Sequence, residues 1–147
     1  MIASVRSSER GAALVELSLV LPTLLFLAAA LWEFGRVLDA QVVVSNAARE
    51  GARYAALGKT TSAVQDRVAS YLTSGLGGRL DSSTGDVTFV RAQVQVTNAR
   101  GFAGDPVSVF VPATVRFWIP SLIGMPNQVQ LSARGTMRLQ CGGAGVC

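Results

Sequence analysis

Apolar residues change their period twice along this chain, and each change marks a new kind of element. From Ala12 to Trp32 they form a nearly unbroken run, with Glu16 as its only charge and Pro22 as its only strong helix breaker. A membrane-crossing helix needs about 20 mostly apolar residues, so the run predicts a transmembrane helix over 12–32. Proline is tolerated in lipid-embedded helices and would kink this one about a turn and a half beyond Glu16. Past Trp32 the pattern becomes amphipathic. Val37, Val44, Ala48, Ala52 and Ala55 recur at spacings of three, four or seven, among polar Arg36, Asp39, Arg49, Glu50 and Arg53. That periodicity continues the helix over 33–58, with Gly58 and Lys59 as its stop. Its apolar face is narrow and built of small side chains (Ala47, Ala48, Gly51, Ala52, Ala55, Ala56), which suits close packing against a helix or sheet of its own domain or of a neighbouring chain.

A second helix is predicted in "TTSAVQDRVASYLTSG", where Ser62 and Gln65 fit a capping box, Val64, Val68, Tyr71 and Leu72 line one face, and Gly75 ends it. The Gly-, Ser- and Asp-rich stretch "GLGGRLDSSTGD" reads as a loop. From Asp86 the period becomes two. Val90, Ala92, Val94 and Val96 alternate with polar residues, as do Val107, Val109 and Val111 until Pro112, which suggests an edge position or a bulge. Val129, Leu131, Ala133, Gly135, Met137 and Leu139 form the last apolar face. The expected fold is α+β: a long amino-terminal helix, membrane-spanning in its first half, packed on an antiparallel sheet of three or four strands within a domain over 59–147.

Charge adds orientation and excludes some functions. The formal net charge is +4, but the arginines are scattered from Arg6 to Arg138 and form no coherent basic block, so no nucleic-acid partner is expected. Arg6 and Arg10 precede the apolar run, and mixed charges follow it. This orients the amino terminus to the cytoplasm and the remainder outward, with Trp32 at the outer interface. A cleaved secretory signal competes, since Ala28 and Ala30 offer small residues for cutting; against it, such apolar regions run about 7–15 residues, while this one carries an acid and continues through Leu31 and Trp32. The chain has no histidine and Lys59 is its only lysine, set beside a helix stop. Its acids fall on the helix or in turn-rich sequence, and no glycine-rich phosphate loop follows a strand, so neither an enzyme nor a cofactor is expected. Two cysteines without histidine leave a structural zinc site incomplete. Cys141 and Cys147 flank "GGAGV", whose glycines would let the chain turn back to form a disulfide in an extracytoplasmic compartment; free or intermolecular thiols are the alternative.

The puzzling residue is Glu16. At the bilayer centre an ionised side chain costs ~2.5 kcal/mol or more, so it needs a partner or a purpose. Gly11, the glutamate five residues on, the apolar run with its proline, then "EFGR" and "NAAREGARYAA" together resemble the amino-terminal module of TadE-like proteins, minor pilins or pseudopilins of tight-adherence (Tad) pilus systems. The resemblance covers about a third of the chain. It implies a type IV pilin-like fold, a leader over 1–11 removed by prepilin peptidase between Gly11 and Ala12, and a single-pass protein of the inner membrane, with incorporation into an extracellular pilus as a further expectation. It also implies contacts with other pilin subunits and with the membrane-embedded assembly platform. Glu16 would then be the fifth mature residue, recognised in processing or assembly. Two other readings stay open: an uncleaved, membrane-anchored binding protein, and a Glu16 that merely snorkels to the cytoplasmic interface to satisfy the helix start.

Overall fold

The computed structural model describes residues 3–80, 85–99, 101–119, 124 and 126–140, with side chains from Gly11 onward. Among these, helices α1 (Ala3–Ala56) and α2 (Thr61–Leu76) precede strands β1 (Val87–Thr88), β2 (Gln95–Thr97), β3 (Pro106–Arg116) and β4 (Gln128–Arg138). The chain divides into two units, the first ending at Gly35 and the second beginning at Arg36.

The first unit holds the apolar part of α1. Leu14, Leu19 and Phe26 are 67%, 72% and 57% exposed, and the most apolar stretch has a mean hydropathy of 2.2 with none of it buried. In water such a surface would be strongly unfavourable, at roughly 25 cal/mol per Å² of exposed apolar area. The helix is long and apolar enough to cross a membrane, and it fits membrane anchoring.

The second unit is α+β, with the part of α1 from Arg36 onward seated on a small antiparallel sheet. Small residues permit that seat. A Cβ on Gly51 would lie 2.6 Å from Val68 Cγ2 of α2 and 3.2 Å from Val109 Cγ1 of β3, so α1 is close to both elements at once. Ala40, Ala47, Ala48, Ala52 and Ala55 are fully buried, as are Val64, Val68 and Leu72 of α2. Tyr71, predicted on the same face, is 37% exposed.

Two details at α2 differ from the expected capping. Thr60, not Ser62, is the N-cap: its side chain accepts from the Ala63 amide at 3.4 Å, and Ser62 lies inside the helix. Gln65 is drawn instead to the sheet, where Nε2 donates to the Val94 carbonyl at 3.1 Å. The helix also runs past Gly75 to Leu76, because Gly77 (φ +54°) is the residue that adopts the left-handed backbone and donates its amide to Thr73 O.

β3 is the central strand. β4 pairs with it from Pro106↔Arg138 to Arg116↔Gln128, while β1 and β2 share its other side. The single strand expected in "VTFVRAQVQV" is therefore two strands, and Val90 and Ala92 lie in neither. Between the pairs Thr88↔Thr114 and Gln95↔Phe110 the β1–β2 segment has six intervening residues (89–94) and β3 has three (111–113). The surplus of three is taken up in a 3-10 turn at Arg91–Gln93. An odd surplus reverses the pleat: Val87 and Val94 are both buried, whereas Val90 is 44% exposed and Ala92 is also exposed.

Pro112 is likewise not on an edge strand but in the middle of β3, opposite that interruption. The Phe117 amide donates to Asn127 beside β4 and the Arg116 amide to Asp86 beside β1. Alternation along the strand then turns the Pro112 nitrogen to the side where the neighbouring ladder is missing, so no hydrogen bond is lost. The same alternation sends the Ser132 carbonyl of β4 to the free edge, where Gln41 Nε2 of α1 donates to it at 3.3 Å. Gln41 and Gln65 thus cap one edge carbonyl on each side of the sheet, each from a different helix.

Candidate functional site

Gly11, Ala12, Glu16 and Pro22 all lie on α1 within the first unit. Helical spacing brings Ala12 and Glu16, four residues apart, onto one face. A Cβ built on Gly11 would meet nothing within 4 Å, so the chain's own packing does not require glycine there. Glu16 is exposed and has no hydrogen-bond or ion-pair partner among the described residues. The nearby hydroxyl of Ser18 is occupied, donating to the Val15 carbonyl at 2.7 Å. Pro22 sits within the helix and has no amide hydrogen to give the Ser18 carbonyl four residues earlier. Cys141 and Cys147 lie outside the described residues, as do the side chains of Arg6, Glu9 and Arg10.

A second charged centre begins the second unit. Arg79, on the 3-10 turn Gly77–Leu80, forks onto Asp86: Nε lies 3.1 Å from Oδ1 and Nη2 lies 2.9 Å from Oδ2. Its Nη1 reaches Asp39 Oδ2 at 2.7 Å, and Nη2 also donates to the Arg36 carbonyl at 3.0 Å. Arg36 pairs with the same Asp86 oxygen at 2.6 Å. Burial pushes the Asp86 carboxyl up, but the Arg79 hydrogen bonds and the Arg79 and Arg36 charges outweigh it and hold it below the usual range. The Arg79 guanidinium is raised, chiefly by its hydrogen bond to Asp86. Two cations and two carboxylates thereby tie the 3-10 turn and the start of β1 to α1 just where the second unit begins.

Sequence reasoning placed Arg36 and Asp39 as polar helix positions and Asp86 in turn-rich sequence, and did not connect them. The available signal was modest: an arginine and an aspartate three apart on a helix, with their complements 50 and 40 residues on. Exposed pairs Arg67–Glu50 at 2.8 Å and Arg91–Asp66 at 2.9 Å link α2 to its neighbours more loosely.

Residues 11–53 match the family model described as TadE-like protein. The matched segment begins at Gly11, includes Glu16 and Pro22, and ends within the small-residue face of α1. It relates the chain to Tad pilus proteins. No curated protein and no solved structure matches the chain.

Proposed function

We propose that the chain is a minor pilin or pseudopilin of a Tad (type IVb, Flp-like) pilus, cut by prepilin peptidase between Gly11 and Ala12 and assembled through its amino-terminal helix. Glu16 carries this reading. It is an exposed carboxylate without a partner among the described residues, placed five positions past a glycine that the fold does not need, inside the stretch matching TadE-like proteins.

Cleavage creates an α-amino group on Ala12 that is cationic at neutral pH, since such groups titrate near ~7.7–8. An isolated cation and an isolated carboxylate are both disfavoured in lipid. When subunits stack, the Glu16 carboxylate of one meets the Ala12 ammonium of its neighbour, and assembly relieves a penalty that the membrane imposes on the free subunit. The partners are the peptidase, other pilin subunits and the inner-membrane assembly platform. The chain is a substrate of an enzyme rather than an enzyme. Before assembly the helix spans the membrane with the amino end toward the cytoplasm and the sheet domain outside; after it the chain is part of the pilus.

The test is intact mass and amino-terminal sequencing of protein from membranes of cells carrying the whole secretion system, together with sheared-pilus content for Glu16→Ala and Glu16→Gln. The mature protein is expected to begin at Ala12. Glu16→Ala is expected to insert and to be cut, yet to be missing from pili, with Glu16→Gln intermediate. A protein retaining Met1 would establish the uncleaved anchor instead, and one beginning at Leu31 an ordinary signal peptide. Wild-type pilus content for Glu16→Ala would eliminate the pairing mechanism.

A further inference from the structure

The reversed pleat between β1 and β2 leaves a hollow of about 880 Å³ on the sheet face turned away from α1. Its apolar surface comes from Val90 and Ala92 on the displaced segment and from Phe110 and Pro112 on β3. Around that surface stand the amides of Gln93, Gln95 and Gln130 and the hydroxyls of Thr88, Thr114 and Ser132. None of these six side chains has a hydrogen-bond partner within the protein among the described residues. No charged side chain lines the hollow. The cations beside it, Arg134 opposite Phe110, Arg116 two residues beyond Thr114 and Arg91 between Val90 and Ala92, are not among its lining residues, and Arg91 is paired with Asp66 at 2.9 Å.

We propose that this hollow binds a neutral saccharide segment. A pyranose ring has an apolar face of C–H groups and a rim of uncharged hydroxyls that both donate and accept. The hollow offers the complement: an apolar patch containing one aromatic ring, bordered by carboxamides and hydroxyls that also do both. A carboxylated or sulfated chain would find no cation inside it. An extended peptide would find no free strand at the interruption, because Pro112 presents no amide there and the 3-10 turn occupies the ladder position. This binding is independent of the assembly role of Glu16.

The experiment uses the full chain in a zwitterionic detergent, since a maltoside would itself present sugar. It is applied to immobilised neutral hexose and N-acetylhexosamine oligosaccharides, with sialylated and sulfated oligosaccharides alongside. Retention of one or more neutral members is expected. Ala92→Trp, at an exposed position, fills the hollow, and Gln130→Ala removes one amide. Each is expected to weaken that binding at least tenfold while leaving the circular dichroism melt unchanged. Should Ala92→Trp alter the melt, Gln130→Ala decides. Retention of no neutral oligosaccharide, retention of acidic ones only, or binding unaffected by these variants would overturn the proposal.

Discussion

At Gly135 an added methyl would overlap the backbone of Ala48 and Arg49, whereas at Gly11 it would meet nothing within 4 Å. The two glycines therefore fail by different routes when substituted. Gly135→Ala pushes β4 away from α1, and overpacking of a dense contact costs typically ~1–3 kcal/mol, read as a lower thermal midpoint of the full chain in detergent. Gly11→Val should leave that midpoint unchanged, yet uncut precursor should accumulate in membranes, because a protease cutting an extended backbone has little room for a branched side chain; Gly11→Ala should only slow the cut. Normal maturation of Gly11→Val would remove Gly11 from the recognition argument. The sequence offered Gly11 through its spacing from Glu16. The tightness at Gly135 was invisible there, since an alternating strand pattern does not say which of its inward positions meets a helix backbone.

Among elements, the helices were the more legible, because their apolar spacing is internal to each segment. Strand pairing depends on a partner, and the Val90–Val96 alternation looked continuous because nothing within it records that β3 has three fewer residues opposite. Pro112 was a correct warning of a missing ladder bond, but the gap lay in the neighbouring strand rather than at the sheet edge. The edges themselves depend on the helix glutamines. Gln41→Leu and Gln65→Leu each remove a donor to an edge carbonyl, and each should destabilise by about 1 kcal/mol, in line with the net worth of one hydrogen bond. Additive loss in the double variant is expected, since the two caps act on opposite edges; strong non-additivity in thermal melts would mean that the edges communicate through β3.

Over the whole molecule, α+β architecture with an apolar amino-terminal helix was readable from three successive periods, but the Arg36–Asp39–Arg79–Asp86 network was not. Its members come from segments that only the fold brings together. Asp86 is 6% exposed, so Asp86→Asn leaves two arginines short of their shared carboxylate and should cost about 2–3 kcal/mol, discounted from a fully buried pair because both arginines are partly exposed. Because its native pKa is depressed, its contribution is complete above the unfolded aspartate value near ~3.9 and is lost as pH falls through the lower native value. The gap between wild type and Asp86→Asn in thermal stability should thus be constant from neutral pH to mild acid and close only in strong acid; a gap that closes already near neutrality would contradict the assigned direction. The edge cap at Gln41 has a different reach. Its acceptor, Ser132, follows it by 91 residues, and Gln140 returns its amide to Ala56 at the end of α1. During synthesis, then, α1 emerges long before β4, so until β4 follows β3 waits unpaired on one side and the stretch of α1 at Ala48 and Arg49 that receives Gly135 stays open. A nascent chain halted before β4 offers other chains both surfaces, which makes translational pausing between β3 and β4 a moment of high risk of misassociation.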